Sequence, residues 1–144
     1  MVPAGGGMPV VFVAYSKALA EWAGEVGLSK HVFKIGVAAD KAEEAVAAYN
    51  AEGFAGQTDW KVLKKEKVEA AEEAAAVEKI ARREREVDPT YYPKIRGARG
   101  LFRVKIENVE KAIYVQQTLD GGELRDVKIK PADIAIYLLR NAVA

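Results

Sequence analysis

A run of basic residues in the second half of the chain offers the clearest chemistry in this sequence. Between residues 79 and 105, nine Lys or Arg side chains stand against three acidic ones, an excess of six, although the whole chain has a formal net charge of only +1. Cations at this density suit the phosphates of a nucleic acid, and the alternative is a solvated helix end and loop. The candidate nucleic-acid-binding residues are Arg82, Arg83, Arg85, Lys94, Arg96 and Arg99.

Two adjacent tyrosines lie inside this basic run. Tyr91 and Tyr92 precede Lys94 in a segment that also contains two glycines. Aromatic rings among cations can stack on bases while the cations follow the phosphate backbone. A plain connection between a helix and a strand explains the same residues equally well, so both interpretations stay open.

Few of the residues that usually carry catalysis are present. The chain has no cysteine, which excludes a disulfide scaffold, thiol catalysis and a thiolate zinc site. His31 is the only histidine, so several histidines cannot share a metal, and we expect it to make a local hydrogen bond. The apolar runs fall short of the roughly 20 residues that span a membrane. We therefore expect a cytoplasmic protein with no membrane partner.

The elements that would position these residues alternate between strands and helices. Apolar and β-branched runs predict strands at 10–15, 32–37, 60–68 and 101–106, the last an edge strand. Helical spacing predicts helices at 17–26, 40–52, 69–86 and 108–119, and one that starts near Pro131. Ser16 is the expected N-cap of the first helix, Asp40 begins a capping box at the second, and Gly53 is expected to end the second. The expected fold class is α+β, with a small, largely antiparallel sheet of three to four strands flanked by helices.

The order of short motifs resembles the GIY-YIG nuclease superfamily. A first strand Val-Phe-Val-Ala-Tyr-Ser is followed by Phe-Lys-Ile-Gly at residues 33–36, by Thr-Asp-Trp-Lys at 58–61 and by Gly-Ala-Arg-Gly-Leu-Phe at 97–102. The sequence is most similar to the short phage and bacterial branch whose second motif reads Tyr-Lys-Ile-Gly. The resemblance covers residues 10–113, which leaves a flexible Gly-rich tail at 1–9 and a C-terminal helical extension at 114–144, packed on the same domain.

The resemblance implies metal-assisted hydrolysis of a phosphodiester bond, and it also shows where this chain departs from that chemistry. Phe12 and Lys34 stand at the two positions where the family has tyrosines, and Glu44 stands where it has an arginine. Only the metal-binding glutamate is kept, as Glu78, so Mg²⁺ is expected only if the domain is active. Tyr15, together with Lys34 and His31, offers a reassigned site that the spacing does not require.

Three hypotheses follow from the sequence. The first is a catalytically degenerate GIY-YIG-like domain that serves as a nucleic-acid-binding or interaction module. The second is an active, Mg²⁺-dependent DNA endonuclease. The third is a phage or prophage structural protein, virion-associated if phage-encoded, that works through contacts with other protein chains or with itself. The sequence does not choose between DNA, RNA and protein as the partner.

Overall fold

The computed structural model describes residues 8–122 and 128–143. Most of the predicted Gly-rich tail, residues 1–7, lies outside the described residues. The α+β class is confirmed, but the antiparallel sheet has five strands rather than three to four, in the order β3-β1-β2-β5-β4. The strands are Val10–Tyr15 (β1), Val32–Ala38 (β2), Lys61–Lys67 (β3), Arg85–Glu86 (β4) and Leu101–Arg103 (β5). The helices are Lys17–Glu25 (α1), Ala42–Glu52 (α2), Glu73–Ala81 (α3), Ile106–Leu119 (α4) and Pro131–Val143 (α5).

Strand β1, an inner strand of the sheet, is buried on both faces, as its continuous apolar sequence predicts. Phe12 and Ala14 face the side of the sheet covered by α1 and α2, where Trp60 is also buried. Val11 and Val13 face the opposite side, which α3 and α5 cover. Because side chains alternate along a strand, one strand thus supplies two separate cores.

The caps predicted from sequence are partly confirmed. The Ser16 hydroxyl accepts a hydrogen bond from the Leu19 amide at 3.0 Å and caps α1. Gly53 ends α2 in the left-handed conformation, with φ of 69°. The predicted capping box at Asp40 is wrong, because the residue that precedes the first turn of α2 is Lys41 and its side chain makes no cap.

The long helix predicted for residues 69–86 is also wrong. Helix α3 covers nine residues, Glu73–Ala81, and the chain then turns into the short edge strand β4. A buried carboxylate explains the stop: Glu84 is only 5 % exposed and is bound by groups from distant segments. Strand β5 pairs with β2 on one side and with β4 on the other, so it is an inner strand and not the predicted edge.

The C-terminal helix α5 packs across the sheet. Ile134, Leu138 and Ala142 are buried in the same core as Val13 of β1. Helix α4 crosses residue 113, where the family resemblance ends, without a break. No helix in the described part of the chain is long and apolar enough to cross a membrane.

Candidate functional site

Phe12 and Lys34, the two positions where the resemblance implies tyrosines, lie on neighbouring strands at the centre of the sheet. Phe12 on β1 is fully buried and lies directly opposite Gly36 on β2. A Cβ atom at Gly36 would lie 2.4 Å from Cζ of Phe12 and 2.8 Å from the hydroxyl oxygen of Tyr49. The glycine is therefore required for close packing, because any side chain would collide with the Phe12 ring.

Tyr49 is a site residue that the sequence analysis missed. It comes from α2, and its ring centroid lies 6.1 Å from that of Phe12. Its hydroxyl oxygen and the tip of the Phe12 ring both border the space beside Gly36. Burial, with a smaller contribution from Glu73, raises the pKa of the Tyr49 hydroxyl well above its ordinary value, so this group stays neutral.

Lys34 of β2 is almost completely enclosed by protein groups, which is rare for a lysine side chain. It is 2 % exposed, and its Nζ donates to the carbonyl oxygen of Arg99 at 3.0 Å. The same Nζ lies 3.3 Å from Oε2 of Glu73 and within 6 Å of the ring centroids of Tyr49 and Phe54. We call Lys34, Tyr49, Phe54 and Glu73 the Lys34 cluster.

Electrostatics of the Lys34 cluster favour a structural role. Burial lowers the pKa of the Lys34 amine, and the neighbouring carboxylate of Glu73 acts in the opposite direction. The positive charge is balanced by a carboxylate, a carbonyl oxygen and two aromatic faces of the protein itself. Little of it is left for an external anion, because solvent scarcely reaches the side chain.

The other predicted catalytic residues lie outside the Lys34 cluster. Tyr15 packs against Phe33, with ring centroids 5.3 Å apart, on the opposite face of the sheet. His31 precedes β2 and is half-buried, and this burial lowers its pKa. Glu44 is exposed in the first turn of α2.

The predicted metal ligand, Glu78, lies on the exposed side of α3. Its side chain is 75 % exposed, and its Oε1 lies 4.0 Å from Arg82, one turn further along the helix. Within residues 8–122 and 128–143, no group of three or more His, Asp or Glu side chains could hold a metal ion. A single carboxylate that already faces an arginine is a poor site for Mg²⁺, which favours several oxygen ligands. The residues around Glu78 therefore do not fit the metal that the resemblance implies.

The largest group of predicted nucleic-acid-binding residues comes together at the β4 edge of the sheet. An open cleft of about 510 Å³ lies there, and its lining also includes Glu84 and Glu86. Arg85 of β4 is directly opposite Arg103 of β5 in the antiparallel ladder. We call this surface the basic cleft, and its cations are Arg82, Arg83, Arg85, Arg103 and Lys105.

Glu84, one of the two acidic residues in the lining of the basic cleft, is bound by neutral donors. Glu84 accepts hydrogen bonds from the Lys105 amide at 2.8 Å, from Nδ2 of Asn108 at 2.8 Å and from the Tyr137 hydroxyl at 2.6 Å. Burial and the hydrogen bond to Glu84 raise the pKa of the Tyr137 hydroxyl. Among the described residues, no carboxylate oxygen lies within 4.0 Å of the charged nitrogens of Arg83, Arg85, Arg103 or Lys105.

The remaining predicted basic residues lie along the loop that precedes β5. Arg99 lies 3.5 Å from Glu86, which lines the basic cleft. Nζ of Lys94 lies over the ring of Trp22, 5.8 Å from the ring centroid. Arg96 is exposed. Arg103 and Lys105 were missed as binding residues, although the alternation of apolar and basic residues from Leu101 to Ile106 indicated a basic strand face.

Comparison with known protein families, with curated proteins and with solved structures finds no match for this chain.

Proposed function

We propose that this protein is a catalytically degenerate GIY-YIG-like domain that binds nucleic acid through the basic cleft. One observation carries the proposal: Arg85 and Arg103 lie directly opposite each other in the sheet and have no carboxylate partner among the described residues. Like charges at directly opposite positions of an antiparallel pair destabilise a sheet. A phosphate between or beside them removes that repulsion and gains charge-assisted hydrogen bonds.

The state of Glu84 supports the same proposal. It is the acidic residue between Arg83 and Arg85 in sequence, and it would be their obvious partner. Its carboxylate is instead buried and bound by three neutral donors: the Lys105 amide just before α4, Asn108 of α4 and Tyr137 of α5. The arginines on either side are therefore left to face solvent with their charge available.

The Lys34 cluster supports the view that the domain does not cut. The buried Phe12 offers no hydroxyl, and Lys34 is held by Glu73 and by the Arg99 carbonyl. Loss of one group that stabilises the transition state typically costs about 10²- to 10³-fold in rate, and here several family positions are changed together. We expect no Mg²⁺-dependent nicking of plasmid DNA.

The test is the salt dependence of binding to a generic DNA duplex, measured by fluorescence anisotropy between about 50 and about 200 mM salt. The wild-type affinity should fall steeply as salt rises, because phosphate contacts release counterions. The double variant Arg85→Gln/Arg103→Gln should bind roughly tenfold more weakly, with a slope of log K against log salt that is shallower by about two.

A matched control removes two cations from the other edge of the same sheet. Lys61 and Lys67 of β3 are exposed and lie far from β4 in the strand order, so Lys61→Gln/Lys67→Gln keeps the same net charge as the cleft variant. This control should retain more of the wild-type affinity than the cleft variant does. The proposal is overturned if the wild-type protein binds neither the duplex nor single-stranded DNA at low salt, or if both double variants weaken binding equally.

A further inference from the structure

Tyr91 is the aromatic residue whose side chain is most exposed to solvent. Its side chain is 76 % exposed, whereas the other aromatic side chains are all buried or half-buried. Tyr92, its neighbour in sequence, packs edge-on against Trp22 with ring centroids 5.9 Å apart. The two adjacent tyrosines are thus divided: Tyr92 anchors the segment, and Tyr91 presents its ring to solvent.

The turn that carries Tyr91 is held in place before any ligand arrives. Pro89–Tyr91 forms a short 3-10 turn, and the side chain of Asp88 accepts a hydrogen bond from the Thr90 amide at 2.9 Å. A second proline, Pro93, begins the next turn, whose Ile95 is buried. Because two prolines and a capped turn restrict this backbone, little conformational entropy is lost when the ring binds a ligand.

The turn and the basic cleft form one continuous surface. Glu86 lines the basic cleft and also lines a smaller cleft of about 260 Å³ whose other lining residues are Val87, Asp88, Pro89 and Arg99. Arg99 extends the cationic surface from the cleft towards the turn, with Glu86 3.5 Å away. Asp88 disfavours a phosphate close to Tyr91, since like charges repel, so the ring itself is the attractive feature at this end.

We infer that the nucleic acid of the basic cleft is single-stranded and that one of its bases stacks on Tyr91, an inference that rests on the proposed function. In a duplex the faces of the bases are covered by their neighbours, so an exposed ring beside a cationic track has little to stack on. In a single strand every base offers a free face, and stacking on an aromatic side chain tolerates any base.

The experiment compares two single strands of equal length, about 12 nucleotides, at low salt. One is oligothymidylate, and the other is the same deoxyribose-phosphate backbone without bases. The wild-type protein should bind oligothymidylate roughly tenfold more tightly than the abasic strand, because only the first can stack on Tyr91. Tyr91→Ala should remove this preference and leave the affinity for the abasic strand unchanged.

Two further variants separate stacking from other effects. Tyr91→Phe keeps the ring and should keep the preference. Leu119→Ala removes another exposed apolar side chain, 75 % exposed on α4, and should change nothing. The inference is overturned if the wild-type protein binds both strands equally, or if Tyr91→Ala weakens both equally. In that case the proposed function still stands, provided that the affinity for the abasic strand falls as salt rises. The variant Arg85→Gln/Arg103→Gln must also bind that strand more weakly than the wild-type protein does. If neither strand nor a duplex binds, both proposals fail.

Discussion

Lys34 and Arg103 are cations on neighbouring strands of the same sheet, and the groups that surround them differ. Lys34 on β2 is buried and neutralised by Glu73, by a carbonyl oxygen and by aromatic rings. Arg103 on β5, two residues along from the partner of Lys34, faces Arg85 and has no carboxylate near it among the described residues. The residue type does not decide the role. The environment makes one cation part of the core and leaves the other available to a ligand.

The difference has an energetic origin. A charge removed from water is costly unless partners inside the protein replace its hydration, and the groups around Lys34 replace part of it. Arg85 is exposed, and the half-buried Arg103 donates to the Leu28 carbonyl, so their charges cost less. Their mutual repulsion, however, has no carboxylate to compensate it within the described residues. Changes in the Lys34 cluster should therefore act mainly on stability, and changes in the basic cleft should act mainly on binding.

The largest expected effect is on stability, from a substitution beside the Lys34 cluster. Gly36→Ala places a Cβ atom 2.4 Å from the fully buried ring of Phe12, and the ring has no free space into which to move. Overpacking of this kind typically costs about 1–3 kcal/mol. We expect a loss of that size in the free energy of unfolding, measured by urea denaturation. The protein that remains folded should bind DNA with the wild-type affinity.

The same substitution at Gly24 is the control. A Cβ atom there meets nothing closer than Cβ of Lys30 at 3.9 Å, and Gly24 lies within helix α1. Alanine favours a helix over glycine by about 1 kcal/mol, so Gly24→Ala should stabilise the protein slightly. If Gly36→Ala is as harmless as Gly24→Ala, the close packing of Phe12 on Gly36 does not explain the glycine.

Local patterns in the sequence predict the local parts of this fold. The apolar runs of β1 and β2, the cap at Ser16 and the left-handed Gly53 each depend on a few adjacent residues, and each is confirmed. The end of α3 could not be predicted in this way. Its Ala- and Glu-rich sequence favours a longer helix, and the chain leaves the helix where Glu84 meets Lys105 and Tyr137, more than 20 residues away.

The candidate site was predicted less completely, because its members meet through tertiary structure. Arg82, Arg83 and Arg85 are close in sequence and were identified together. Arg103 joins them only because β4 pairs with β5, and β4 was predicted as part of a helix. Tyr49 meets Phe12 across the packing of α2 on the sheet, which no short motif indicates.

The second prediction concerns Lys34 and pH. Burial lowers its pKa in the folded state, so between that lowered pKa and 10.5 the unfolded chain binds more protons than the folded one. Stability should therefore rise with pH through this window, since the penalty for burying a charge disappears as the amine loses its proton. Lys34→Met lacks this term, so the stability of the wild-type protein relative to this variant should rise with pH through the same window.

The measurement is the difference in free energy of unfolding between Lys34→Met and the wild-type protein, from about pH 7 to about pH 9.5. The free energy of unfolding of the wild-type protein should rise steadily relative to that of the variant as pH rises. Tyr49 and Tyr137, whose pKa values are raised, titrate above this range. A difference that is constant with pH would mean that Lys34 has the same proton affinity in both states.

The smallest expected effect tests the contrast most directly. Arg103→Glu and Arg103→Gln both lose the hydrogen bond that Nη1 of Arg103 donates to the Leu28 carbonyl at 3.4 Å, so the two variants are compared with each other. Arg103→Glu places opposite charges at the cross-strand pair with Arg85, which should make it more stable than Arg103→Gln by about 0.2–1 kcal/mol. Arg103→Glu should also bind nucleic acid more weakly than Arg103→Gln, which in turn should bind more weakly than the wild-type protein. The difference in stability should fade at high salt. If Arg103→Glu is no more stable than Arg103→Gln at low salt, residue 103 does not feel the charge of Arg85, and the argument that the basic cleft awaits a phosphate loses its energetic basis.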